Sequence, residues 1–163
     1  MMDSKGQISA EYLILAGSLV IILMLAVSYI AQQEELSIAM VAAKNGANEG
    51  ASSFQIYSKD SYDEYVKSKD DLLFPYSVEI VNVSYVEMGH DDVYGRQKIQ
   101  FKVYATSSHD FDKKELDSIG DRINYNLRQS VAVSFDTEDA GNRLYNPAFS
   151  PHYVFTTANV KWV

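Results

Sequence analysis

KGQISAEYLILAGSLVIILMLAVSYIA, residues Lys5 to Ala31, decides how the rest of this chain is read. Its last 20 residues, Tyr12 to Ala31, contain no charged side chain. At helical rise such a run spans about 30 Å, the thickness of a bilayer's hydrocarbon core. One carboxylate, Glu11, stands at the mouth of the run. A carboxylate beside hydrocarbon is costly unless it finds a partner. Its position points to an assembly contact, a membrane pathway or a processing signal.

The flanks of the run separate these readings. A secretory signal has a basic leader, a shorter apolar core and small residues marking cleavage after that core. Here the leader MMDSKG carries one lysine offset by Asp3, and no A-x-A-like site follows the apolar run. The sequence continues QQEELSIAMVAAKNGANEGASSF with helix-forming composition. Ala31, Leu36, Ala39, Met40, Ala43 and Ala47 fall close to a three-and-four spacing, the seam of an amphipathic helix. The spacing predicts one helix from about Gln7 to Gly46 or Gly50, with those glycines as stop signals. Its first half is apolar all round and its second half one-sided. Such a helix suits a stem whose first half sits in a membrane or a bundle of like helices, while the second docks on a head. Ala10, Gly17, Ser18, Ala26 and Ser28 are small enough to allow close helix approach within the run. Hydropathy alone fits a plain single-span anchor equally well.

The junction residues add a resemblance. Gly6, Gln7, Ser9, Glu11 and Leu15, with Tyr12 beside the glutamate, resemble the class III signal peptide of archaeal type IV pilin-like proteins. In that family a glycine precedes the cut, Gln, Ser and Glu follow at alternate positions, and a leucine stands four beyond the Glu. The resemblance covers the leader and stem, about the first fifth of the chain. It implies that a prepilin peptidase cleaves between Gly6 and Gln7 on the cytoplasmic side and leaves the apolar helix in the mature subunit. It also implies an assembly platform and its ATPase as partners, with residence in the inner membrane before assembly. Archaellins share the general leader logic, but the Gln-x-Ser-x-Glu-Tyr order looks more like the pilin branch. By the same resemblance, Glu11 neutralises the free amine of a neighbouring subunit's Gln7. A pairing of that kind selects register, because a misaligned subunit strands both charges. The alternative for Glu11 is a solvated carboxylate at headgroup level.

Composition bounds the remainder. The 163 residues divide naturally into a leader (1–6), a stem helix (7–53) and one head domain (54–163), the last long enough for a single modest core. There are no cysteines, so the head is held without disulfides or thiolate metal sites. A net charge of -8, with cations scattered singly but for the adjacent Lys113-Lys114, argues against nucleic acid as a partner.

The head reads as α+β, a small antiparallel sheet with one extra helix. Phe54 to Phe74 is a polar, tyrosine-bearing connector with partial helical character. Tyr76 to Met88 is a strand whose alternation changes phase near Ile80 and Val81, the mark of a bulge or of burial on both faces. Gly89 to Gly95 is a turn-rich connection, too long for a two-residue hairpin. Ile99, Phe101, Val103 and Ala105 then alternate against Lys98, Gln100, Lys102 and Tyr104 as a half-buried strand. Leu116, Ile119, Ile123 and Leu127 mark an amphipathic helix, weakened by Gly120. VAVSF (131–135) reads as a further strand, Asp136 to Pro151 as loop, and Tyr153 to Val163 as a terminal strand. A sheet of three or four strands packed on the stem is expected.

Chemistry has little support in this sequence. His90, His109 and His152 lie far apart, each beside a turn signal, and HExxH, CxxC, P-loop and GxSxG patterns are absent. His90-Asp91-Asp92 and Asp110/Asp112 read as solvated loop acids rather than a cation site. No enzyme and no cofactor are expected. Asn82-Val83-Ser84 is the one glycosylation sequon, and its use requires Asn82 to face outward from the strand. The ten tyrosines outside the stem divide between core packing and a surface face. Asn142, Arg143, Tyr145 and Phe149 give the last loop a contact character, though an ordinary loop explains them as well.

The expected function is that of a structural subunit. Its helix polymerises into the core of a surface filament serving adhesion, and its acidic head coats the outside. The alternatives are a minor pilin at the tip or priming assembly, and a membrane-anchored ligand-binding protein carrying a pilin-type leader.

Overall fold

The structure, a computed structural model, describes residues 4–52, 77–137 and 147–163, with side chains from Ser9 onward. The elements are α1 (Ser4–Ser52), β1 (Val78–Asp91), β2 (Arg96–Ser107), α2 (Lys113–Ser134), β3 (Ala148–Phe149), β4 (Tyr153–Thr157) and β5 (Lys161–Trp162). A long N-terminal apolar helix is thus followed by a small sheet head with a second helix, an α+β fold. By packing, the chain forms two compact units, Met1–Leu36 and Ser37–Val163. The Phe54–Phe74 connector lies outside the described residues, as does most of the loop expected between Asp136 and Pro151.

The second unit is built around β2. Ile99, Phe101, Val103 and Ala105 are each 0% exposed, so the alternation read from the sequence is the core face of this strand. Burying each of the large side chains contributes about 1.5–3 kcal/mol. β1 pairs with β2 antiparallel from Val78↔Ser107 to Asp91↔Arg96, with register shifts at Ile80/Asn82 and Glu87/His90. The first shift is the expected bulge, and the extra residue, Val81, is exposed. The turn from Asp91 to Arg96 closes with the Gly95 amide donating to the Asp91 carbonyl at 2.8 Å. Gly95 takes φ +63° there, a conformation that glycine adopts without strain.

The sheet is mixed rather than wholly antiparallel, with five strands among the described residues. β4 and β5 both pair parallel to β2, at Gln97↔Tyr153 to Phe101↔Thr157 and at Tyr104↔Lys161 and Ala105↔Trp162. Parallel neighbours need a crossover, and α2 supplies it. β3 adds antiparallel to β4, giving the order β1-β2-β4-β3, so the expected loop contains a short strand at Ala148–Phe149. The expected terminal strand is split. Ala158 to Val160 leave the ladder, the Ala158 carbonyl accepts from Asn124 Nδ2 at 3.0 Å, and Val160 reaches Gly120 on α2. Gly120, expected only to weaken the helix, marks where the chain crosses close to it.

α2 starts on a capping box, with Asp112 accepting from the Glu115 amide and the Glu115 side chain accepting from the Asp112 amide. Ile119, Ile123 and Leu127 are buried as expected, while Leu116 is half-buried. VAVSF is not a strand: α2 continues to Ser134 with Phe135 as its C-cap. Val131, four residues beyond Leu127, extends the same buried face at 0% exposure. Phe135 then stacks on Phe155 at 6.1 Å, and Phe155 on Phe101 at 5.6 Å, joining α2 to the core face of the sheet.

The end of α1 belongs to this unit. Ala39, Ala43 and Ala47 are fully buried, and Ala42, Gly46, Gly50 and Ala51 are buried beside them. Gly46 and Gly50 are not stop signals, since the helix runs past both to Ser52. They sit where α2 crosses closely: a Cβ on Gly46 would lie 2.4 Å from the Asn126 carbonyl oxygen, and one on Gly50 2.7 Å from Ile123 Cα. Arg122 Nε donates to the Gly50 carbonyl at 2.8 Å, fixing the same crossing. The contacts that these glycines make are with α2.

Candidate functional site

Every residue of α1 from Ser9 to Ile30 is exposed. Leu13 is 72% exposed, Ile14 73% and Leu15 66%. The helix carries an 18-residue window of mean hydropathy 2.6, none of it buried, long and apolar enough to cross a membrane. A continuous apolar surface of this size marks a membrane or protein contact. A helix suits such a setting because it satisfies its own backbone groups. The serine hydroxyls at 18 and 28 are satisfied too: Ser18 Oγ donates to the Leu15 carbonyl at 2.8 Å and Ser28 Oγ to the Met24 carbonyl at 3.1 Å. Their polarity therefore does not oppose burial in hydrocarbon.

Glu11 is the exception. It is exposed, and its carboxylate makes no hydrogen bond or ion pair among the described residues. Ser9, Tyr12 and Leu15 are exposed around it, with Tyr12 at 73%. Four-residue spacing places Glu11 and Leu15 on one helical face, and position 7 falls on that face one turn earlier. Gly6 and Gln7 lie in the first turns of α1. The arrangement offers one acceptor of charge at the end of an otherwise neutral rod.

Asn82 stands on β1 directly after the bulged Val81, opposite Tyr104, and is exposed, as sequon use requires. Two of the histidines flank Gln97 and the third lies elsewhere. His90 pairs opposite Gln97, His109 packs edge-on to Phe111 at 4.8 Å, and the His152 carbonyl accepts from the Gln97 amide. Among the described residues no group of three or more His, Cys, Asp or Glu is placed to hold a metal ion.

Asp91, read as a solvated loop acid, organises the hairpin turn instead. Its Oδ1 accepts from the Val93 and Tyr94 amides at 3.1 and 3.3 Å, and Oδ2 meets Lys98 Nζ at 3.4 Å. Desolvation pushes this carboxyl up, but the Tyr94 and Val93 amides and the Lys98 ammonium together outweigh it, and the net is a lowered pKa. A lowered carboxyl pKa stabilises the fold above the ordinary value near 4, and that contribution is lost as pH falls through the folded value. Asp91→Asn is therefore expected to flatten the acid side of the thermal-stability profile below about pH 4. Superimposable profiles for the two proteins would remove this role.

Sequence reasoning took Gly46 and Gly50 as stop signals and gave Arg122 and Arg128 no contacts. Arg128 reaches Thr157 Oγ1 through Nη1, while its Nε and the Oδ1 of Asn124 lack a partner among the described residues. Burial pulls the Arg128 guanidinium pKa down, against the opposing pull of Asp121 and Tyr125.

Set against protein-family models, curated proteins and solved structures, the chain matches none.

Proposed function

We propose that this chain is the precursor of a structural subunit of a type IV pilus-like surface filament. The observation that carries the reading is the apolar rod of α1, exposed at every residue from Ser9 to Ile30 and headed by the single carboxylate of Glu11. A hydrocarbon surface of that extent is stable in lipid before assembly, and equally stable against copies of itself afterwards. Cleavage between Gly6 and Gln7 by a prepilin peptidase frees an amine next to Glu11. The rod then leaves the membrane through an assembly platform and its ATPase. In the filament core Glu11 faces the Gln7 amine of a neighbouring subunit, and the acidic head lies on the outer surface. Adhesion is the role of the assembled fibre.

Shearing filaments from cells and identifying their main polypeptide tests this reading. This chain is expected as the dominant band. Recovery only as a membrane monomer with a saturable small-molecule site would replace the filament with a membrane-anchored binding protein.

The sequon at Asn82 completes the picture of an exported head. Its exposure beside a bulge supports glycosylation there. Intact-mass measurement is expected to show a sugar increment on the native chain that disappears in Asn82→Gln. Equal masses, apart from the substitution itself, would leave Asn82 unmodified.

A further inference from the structure

The two faces of β2 differ in kind. Ile99, Phe101, Val103 and Ala105 are buried on the face that meets α2, so Arg96, Lys98, Lys102 and Tyr104 stand on the outer one. Lys161 of β5 joins them, paired opposite Tyr104 with its Nζ 5.5 Å from the ring centroid. Four cations therefore share one face of a chain with net charge -8. Acids on this face are few among the described residues. Asp91 is bound to Lys98, and Glu79 lies at the far end, opposite Thr106. Lys102 and Lys161 have no ion-pair partner among the described residues.

A complementary surface exists on the same chain. Around the start of α2, Asp110, Asp112, Asp117 and Asp121 are exposed, with Lys113 and Lys114 as the cations among them. We infer that the outer sheet face of one head docks on the acidic approach to α2 of a second copy. The inference rests on the filament reading and names one of the contacts between heads within it. The two surfaces are different patches, so the contact is heterologous and repeats into an open array, which a self-complementary patch does not do. Tyr104 supplies apolar area in the middle of the cationic face, and Lys102 and Lys161 flank it with charge. Asn82 pairs directly opposite Tyr104 and shares its outer face, so a glycan there and the docking exclude each other, and a sugar on Asn82 of filament chains counts against the docking. The contact is electrostatic and weakens at high salt, where screening shortens to about 3 Å near 1 M.

Charge reversal in the full-length chain, expressed with its processing machinery, tests the docking. K98E/K102E/K161E is expected to lower filament yield by more than about tenfold, as like charges brought together cost several kcal/mol. Leader cleavage stays as in the parent, and the melting temperature falls only through loss of the Lys98–Asp91 pair, which K102E/K161E leaves intact while losing filaments alike. D117K/D121K is expected to fail similarly, and the combined five-site swap to recover filaments. Zero-length carbodiimide treatment of parent filaments is expected to join Lys102 or Lys161 of one copy to Asp117 or Asp121 of another. That cross-link reads the contact even if a reversed variant folds poorly. Normal parent filaments with neither the cross-link nor an effect of reversal overturn the docking and leave the filament reading intact. A parent chain that makes no filament overturns both. Retention of the parent, but not of K98E/K102E/K161E, on an anionic polysaccharide without head-to-head cross-links reassigns the face to a foreign surface and likewise overturns the docking.

Discussion

Glu11→Gln is expected to reduce surface filaments at least about a hundredfold, because losing one partner of a buried ion pair costs ~3–5 kcal/mol and each 1.4 kcal/mol is a factor of ten. Glutamine keeps the size and hydrogen-bonding reach of the side chain and removes only its charge. In the proposed rod bundle that change would leave the amine of a neighbouring Gln7 as a cation without a counter-charge in hydrocarbon. The head is untouched, since Glu11 makes no described contact and lies in the first compact unit. Leader cleavage, membrane recovery and the head's melting temperature should therefore match the parent. Comparing sheared-filament and membrane fractions by immunoblot measures the effect. Filaments at normal yield would mean that the carboxylate sits solvated at headgroup level and takes no part in alignment.

Gly46→Ala is expected to destabilise the head, reversing the sign that helix propensity assigns to it. In the interior of an exposed helix, alanine in place of glycine stabilises by about 1 kcal/mol. At Gly46 the new Cβ would stand 2.4 Å from the Asn126 carbonyl oxygen, 2.7 Å from Ser130 Cβ and 2.8 Å from Leu127 Cα. Two of those atoms are backbone and cannot swing aside, so α1 and α2 must separate. Overpacking of this kind costs about 1–3 kcal/mol, occasionally more. With backbone atoms this close the cost falls at the upper end of that range. Less the ~1 kcal/mol of helix propensity, it leaves a net of about 2 kcal/mol, or a melting temperature about 4–8 °C lower at roughly 2–4 °C per kcal/mol. Gly17→Ala is the control, because nothing lies within 4 Å of a Cβ there. Thermal unfolding followed by circular dichroism distinguishes the two. A Gly46→Ala protein as stable as its parent would show that the crossing of α1 over α2 is looser than described.

These two positions also show how much of the molecule the sequence discloses. Glu11 is conspicuous because a single charge interrupts a polar-to-apolar boundary. The partner proposed for it is invisible in one chain, since it would belong to another copy. Gly46 and Gly50 were legible as glycines but misleading as punctuation, because a helix stop and a close helix crossing use the same residue. The spacing held the answer. Ala39, Ala43, Ala47 and Ala51, beside Ala42, Gly46 and Gly50, form two rows of small residues at four-residue spacing, the pattern of a surface on which another helix lies close. β2 was plain from Ile99 to Ala105 because burial on one face enforces a period of two. VAVSF was misread because its β-branched composition outweighed a period already running from Ile119 through Leu127 to Val131. Strand direction was not legible at all. Alternation is the same in parallel and antiparallel strands, and only the intervening α2 signals that β4 returns parallel to β2. The cationic outer face was written in Lys98 and Lys102, but Lys161 joins it only through the pairing of β5.

The filament account depends on a rod that survives processing while its short leader does not. Sequencing the amino terminus of the chain in purified surface filaments, with its intact mass, tests this most directly. The account predicts a first residue of Gln7 and a mass that retains the whole of Tyr12 to Ala31. A chain beginning beyond Ala31, or still beginning with the MMDSKG leader, would contradict it.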